Sequence, residues 1–208
     1  MHDLEILYED ADIIVIYKPK GLATQSASFR TKDATDILRL HLREQAPQKE
    51  PYLGVIHRLD TPVDGKLVFA KNKQAAAALS TQMQNGAFTK IYEACVHGQM
   101  PAKEGSLDDY LLKEKKGNHS KVVAKGTPGA KHATLEYRLL AYDAGRDESH
   151  LEIHLGTGRH HQIRVQLANC GHPLVGDTKY GMDAPEELKL SATTLCFLHP
   201  RTKKQLRF

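Results

Sequence analysis

Residues 54–71 read GVIHRLDTPVDGKLVFAK. A short polar run with His57, Arg58 and Asp60 comes first, a turn signal at Pro62 and Gly65 follows, and the apolar run Leu67, Val68, Phe69, Ala70 closes the stretch. That order predicts a buried strand with a polar cluster at its mouth. Turns on a rigid scaffold hold the backbone while leaving side chains accessible, which is why catalytic groups concentrate there. Asp60 is therefore a candidate nucleophile. An aspartate at such a position is also a good turn former, because its side chain can bond the backbone two residues on. Local chemistry leaves both readings open.

Working outward, His57-Arg58-Leu59-Asp60, with Gly65 five residues on and Leu-Val-Phe-Ala-Lys after it, resembles the signature of the RluA-type pseudouridine synthases. A second block, GTGRHHQIRVQLANCGHPLVGDTKYG at 156–181, is similar to the later motif of that family. Weaker similarity lies in YEDADIIVIYKPKGLATQSA near the start, in KIYEACVHG from Lys90, and in the closing LHPRTKKQLRF. The resemblance covers nearly the whole chain. Two departures stand out: Val63-Asp64 where family members commonly carry Thr-Ser, and His160-His161 where they commonly carry one histidine. The extra carboxylate at Asp64 bears on substrate contacts.

The resemblance implies one α+β catalytic domain over 1–208. Its sheet would be mixed and mostly antiparallel, with flanking helices and a central cleft. The family often adds an N-terminal RNA-binding domain of S4 type, and none is expected here because the catalytic pattern begins almost at Met1. The implied activity is isomerisation of specific uridines in ribosomal or transfer RNA. The bond from ribose to the uracil nitrogen breaks, the base turns, and carbon rejoins the sugar. No redox change or group transfer occurs, so no cofactor is expected. Asp60 would supply the ionised carboxylate, and Arg164, the arginine of the Gln-Ile-Arg step, would keep it charged. Tyr92 would stack on the uracil and help remove the carbon 5 proton. The reacting base must leave its helix, and Arg58 is suited to the gap it leaves and to phosphate contact. His57, Arg159, His161 and Lys18 complete the RNA-binding candidates, the two histidines with hydrogen bonds that support the site residues as the alternative. Arg164→Met is expected to lose activity with little loss of fold.

The chain has 208 residues, 40% hydrophobic and 26% charged, an ordinary balance for a globular protein with a full core. It has no long apolar run and no leader pattern, so a cytoplasmic protein without a membrane partner is expected. Cys95, Cys170 and Cys196 are odd in number and set in apolar sequence, the pattern of reduced core thiols. A net charge of +4 permits a polyanionic partner without requiring one. Lys113, Lys115, Lys116, Lys121, Lys125 and Lys131 crowd one region against Glu114 alone. That region is either a solvated loop or a phosphate-tracking surface. A monomer that binds RNA and not DNA is expected.

Periodicity predicts strands at 4–8 and 13–17 across an acidic turn, at 88–96, at 132–142 and at 151–155. Helices are expected at 33–45, capped by Asp33 or Thr35 with Ile37, Leu38, Leu40 and Leu42 as its apolar set, at 73–85 before Asn85-Gly86, and at 161–170 with Ile163, Leu167 and Cys170 inside. Between 98 and 131 glycines break the chain into short pieces, with a hairpin expected around Val122-Val123. The glycines at 156 and 158 lack the Gly-Lys-Ser/Thr ending of a P-loop, which leaves nucleotide hydrolysis unsupported. His154, His160, His161 and His172 form no His-x-x-x-His pair, and no metal is expected. Two alternatives remain: a catalytically silent RNA-binding module, and a hydrolase using Asp60 with Asp64. The second leaves the later motif unexplained.

Overall fold

The computed structural model describes residues 4–26, 31–114, 116–181 and 186–208. These hold eleven strands and three helices. The chain divides into two compact units, residues 1–90 with 192–208, and residues 91–191.

In the first unit, β1 (Glu5–Glu9) and β2 (Ile13–Lys18) form an antiparallel hairpin, and β2 pairs antiparallel with β4 (Asp64–Ala70). A two-residue strand, β3 (Gly54–Val55), pairs with the far end of β4. Both β2 and β4 read as near-continuous apolar runs because both of their faces are covered: Ile13 to Ile16 and Leu67 to Ala70 are wholly buried. After the second unit the chain returns as β10 (Leu190–Leu198), which lies beside β4 and takes β11 (Gln205–Arg207) in antiparallel pairing. Phe88 stacks on Phe197 at 5.3 Å between ring centres, and Phe197 on Phe208 at 5.9 Å. The strand at 88–96 is β5 (Thr89–His97), with Lys90, Tyr92, Ala94 and Val96 buried on alternate positions.

Two helices belong to this unit. The first, α1 (Ala34–Gln45), starts at a capping box: the Asp33 side chain accepts the Asp36 N–H at 3.0 Å and returns its own N–H to the Asp36 carboxylate at 3.3 Å. Leu38 and Leu42 face inward, whereas Leu40 is 51% exposed, so the buried stripe is narrower than the sequence suggests. The second, α2 (Lys73–Gln84), is capped by Asn72, whose side chain accepts the Ala75 N–H at 2.8 Å, and ends where Gly86 takes φ +72°. Gly65 is not in a turn. It lies inside β4 at φ +125°, and a Cβ there would collide with the Ala192 backbone of β10. Glycine is required by that close approach and by its φ.

The second unit is an antiparallel sheet in the order β5, β9 (Glu148–Leu155), β8 (Lys131–Asp143), β6 (Glu104–Lys113), β7 (Ser120–Val123). Its buried face carries Ala94, Val96, Ala133, Leu135, Leu151 and Ile153. The ten-residue β6 replaces the short pieces expected before the hairpin. The helix α3 (Gln162–Asn169) packs Val165 against Leu111 and Ala133. It is buried on nearly every side, from Gln162 through Leu167, so its polar members need partners. Gln166 donates to Asp109 at 2.8 Å and Gln162 to the Thr134 carbonyl at 3.0 Å. Cys170 is exposed, contrary to expectation, because the helix ends before it. Cys196 is half-buried and only Cys95 is a core thiol. All three are free. Among the described residues no helix is long and apolar enough to cross a membrane.

Candidate active site

Asp60 sits in the loop between β3 and β4, half-buried, and three neighbours fix the backbone around it. The Asp60 carbonyl accepts the Val63 N–H at 3.0 Å, closing a turn. Leu59, buried just before it, is clamped reciprocally by Thr24: the hydroxyl donates to the Leu59 carbonyl at 2.9 Å and accepts its N–H at 3.1 Å. The Thr61 carbonyl accepts the Gly21 N–H at 2.9 Å. Loop 19–26 therefore holds the Asp60 loop through its backbone groups.

Lys18 completes that brace rather than reaching RNA. It is wholly buried at the end of β2, and its ammonium donates to the carbonyls of Pro19 at 2.9 Å, Leu22 at 2.7 Å and Thr61 at 3.4 Å. Burial pushes its pKa down to about 8, against the opposing pull of the Asp64 and Asp60 carboxylates. A cation so enclosed cannot lie against a phosphate, which corrects its place among the RNA contacts. His57 is corrected in the same way. Its Nε2 accepts the Val68 N–H at 3.3 Å and its ring meets Phe88 edge-on, so it fills the interior beside β4. Burial, with the Lys90 charge, pushes the imidazole down to about 3 and keeps it neutral. Arg58 is exposed, as phosphate contact demands. Asp64 accepts a very short hydrogen bond from the Tyr17 hydroxyl, which ties the departing carboxylate to β2.

In the second unit, Tyr92 is 6% exposed on the inner face of β5, in register with Ile153 of β9. Arg164, 4% exposed on α3, makes a two-pronged ion pair with Asp177: Nε to Oδ2 at 2.8 Å and Nη2 to Oδ1 at 2.6 Å. Asp177 also accepts the backbone N–H groups of Lys179 at 2.9 Å and Tyr180 at 3.2 Å. Burial raises the Asp177 pKa, but the Arg164 guanidinium and those amides outweigh it and hold the carboxyl below its ordinary range. The Tyr180 ring lies 5.3 Å from the guanidinium carbon. Asp177 and Tyr180 both fall in the GDTKYG end of the second motif, yet neither drew attention in the sequence. The signal was there: a buried arginine needs a carboxylate, and Asp177 is the acid nearest to it in the motif.

His161 is buried, at φ +54°, and its Nδ1 lies 2.7 Å from the Tyr180 hydroxyl. Burial, then the charges of His160, Arg164 and Lys179, push its imidazole down to about 3. It is a hydrogen-bonding support and not a surface contact for RNA. Arg159 is exposed, with Nε donating to the His132 carbonyl at 2.8 Å. Of the lysine-rich region, Lys113, Lys116, Lys121, Lys125 and Lys131 are exposed, and Lys121 pairs with Glu114 at 3.0 Å. Lys115 lies outside the described residues, as does Ala27 at the end of the first weak match.

Among the described residues two clusters have the donor types of a metal site, Cys95 with Glu148 and His150, and Asp10 with Asp12 and His199. Each is already closed by cations or donors. Glu148 takes Arg146 at 3.0 Å and Lys189 at 3.2 Å, while Asp12 takes both prongs of Arg201 at 2.7 Å. A divalent ion would meet those cations, and the clusters read as structural ties.

The sequence profile described as RNA pseudouridylate synthase matches residues 12–169. The chain belongs to the RNA pseudouridylate synthase family, among its RluA-type members. It is 37% identical over 224 residues to the Ribosomal large subunit pseudouridine synthase D of Vibrio cholerae, covering 99% of this chain and 66% of that protein. It is 35% identical over 204 residues to the Dual-specificity RNA pseudouridine synthase RluA of Vibrio vulnificus, covering 95% of this chain and 79% of that one. The solved Human RNA Pseudouridylate Synthase Domain Containing 4 shares the fold, with a TM-score of 0.78 at 24% identity over 98% of this chain and 86% of that one.

Proposed function

We propose that this chain is an RNA pseudouridine synthase that isomerises particular uridines in structured ribosomal or transfer RNA, with both units working as one catalytic domain. The observation that carries the proposal is the family match across residues 12–169, which includes the HRLD loop and the Gln-Ile-Arg step. The balance of the reaction is simple: the bond from N1 to C1′ breaks, one from C5 to C1′ forms, and the C5 proton leaves as N1 gains one. Asp60 is the carboxylate that makes the first step possible, by trapping a fragment covalently or by taking a ribose proton. Arg164 keeps it ionised, and Tyr92 packs on the base and assists loss of the C5 proton. Arg58 and Arg159, both exposed, meet the RNA backbone. The protein acts as a cytoplasmic monomer, without metal or cofactor, and does not use DNA.

Asp60→Asn is expected to abolish release of the carbon 5 label from uridine-tritiated RNA while RNA binding stays nearly unchanged. Turnover that survives the substitution removes Asp60 from the chemistry. Pseudouridine mapping of total RNA with and without the gene identifies the target.

A further inference from the structure

The hairpin of β6 and β7 and the arginine of the second motif share one side chain. Tyr180 has three handles. Its ring face lies 5.3 Å from the Arg164 guanidinium carbon, in the range of a cation–π contact. Its hydroxyl accepts the Ser120 N–H from β7 at 2.8 Å and sits 2.7 Å from Nδ1 of His161, the residue that opens α3. Its backbone N–H reaches Oδ1 of Asp177, the oxygen that also takes Nη2 of Arg164. The tip of the hairpin is pinned to the same motif: Ser120 Oγ lies 2.8 Å from His160 Nδ1, His160 Nε2 lies 2.9 Å from Asn118 Oδ1, and Lys179 donates to the Asn118 carbonyl at 3.1 Å.

A two-pronged ion pair fixes the edge of a guanidinium, whereas a ring against its face fixes the tilt. Ser120 is 4% exposed, so its N–H is costly to leave unpaired. The ring therefore cannot swing off the guanidinium without breaking bonds in both the hairpin and the start of α3. We propose that Tyr180 is a positioning residue, through which the lysine-bearing hairpin sets the orientation of Arg164. This rests on the role given to Arg164 above. RNA held by the exposed lysines of the hairpin is thereby sensed at the arginine, and the Tyr180 hydroxyl acts on the rate of the chemical step more than on RNA capture.

The test uses the full chain, Tyr180→Phe and Tyr180→Leu, with uridine-tritiated bulk ribosomal and transfer RNA from cells lacking the gene. The phenylalanine variant keeps the ring and loses the joint; the leucine variant loses both. Saturated turnover is expected to fall about tenfold in the first and about a hundredfold in the second, the scale of a misplaced catalytic group, with KM nearly unchanged in Tyr180→Phe. The Nε–H signal of Arg164, read by nitrogen-15 NMR, is expected to shift in both variants. A rise in KM at unchanged saturated turnover, or an Nε–H signal that stays in place in both, overturns the proposal. A wild-type chain inactive on this RNA instead defeats the proposed function, and the NMR signal still reports whether Tyr180 orients the arginine.

Discussion

Each of the two motif regions buries a cation, and each holds it by different means. Lys18, beneath the Asp60 loop, is enclosed by three backbone carbonyls, with the carboxylates of Asp64 and Asp60 acting only through their field. Arg164 is held by a side-chain carboxylate at two points and by an aromatic face. An ammonium is a compact point charge with three donors, which suits the gathering of loop carbonyls; a guanidinium is a rigid fork, which suits orientation. The first region is thus built to shape a loop and the second to aim a charge. A basic residue in a motif need not be a contact for RNA, and these two show separate reasons why.

The sharpest way to break this contrast is at Arg164. Arg164→Met strands the buried Asp177 carboxylate, so it is expected to cost about 3 to 5 kcal/mol of stability along with activity, unlike the small loss of fold expected from sequence. Adding Asp177→Met is expected to recover most of the stability, seen in urea denaturation, while turnover stays lost. Recovery of both would make the arginine structural alone. At Lys18, Lys18→Met leaves three carbonyls without their donor, for a loss of about 1 to 3 kcal/mol, and the salt dependence of RNA binding is expected to stay the same. Arg58→Ala, by contrast, should reduce the slope of log affinity against log salt by roughly 0.7 to 1. Equal slopes for the two variants would erase the distinction between brace and contact.

Acid supplies a third comparison. His161 titrates near 6.5 when unfolded and about 3 when folded. Below pH 6.5 the unfolded chain takes up the proton and the folded chain does not, so stability falls as pH drops from there toward 3. Between pH 7 and 5 this amounts to at most about 2 kcal/mol, and His161→Asn, which tolerates the left-handed backbone, should flatten that slope. An unchanged acid limb in this variant would mean that His161 is not held neutral. The smallest effect is expected at Asp64→Ser, which loses the bond from Tyr17 between two half-buried side chains, for about 1 kcal/mol in thermal melting.

Much of this was legible from residue order. Period-two alternation gave β5, β8 and β9, and Asp33 and Asn85-Gly86 marked helix limits within a residue or so. The long strand β6 was missed because only Leu107 interrupts its polar run before Tyr110, Leu111 and Leu112, and because its inward positions include Asp109, made tolerable by Gln166. Helix α3 was expected at 161–170 and lies at Gln162–Asn169, but its surroundings were not legible: it is covered all round, so its polar residues face neighbours rather than water, and no amphipathic stripe exists to be read. Gly65 resembled a turn residue because the Ala192 backbone that demands a glycine lies far along the chain. Lys18 and His57 were misread for a related reason. Sequence supplies a residue's charge but not its direction, and both point inward. Asp60 itself was singled out by motif, since its local chemistry matches that of any turn aspartate.

The strand that forces a glycine at position 65 is made of residues near the end of the chain, and it carries Leu195 and Phe197 into a core begun by Ile13 and Val15. During synthesis from the amino end, β2 and β4 emerge long before β10 does. The edge of β4 that β10 pairs with must wait until residues 190–198 have been made. Ribosome pausing or premature termination before residue 190 should therefore expose the half-made floor of the HRLD loop to chaperones.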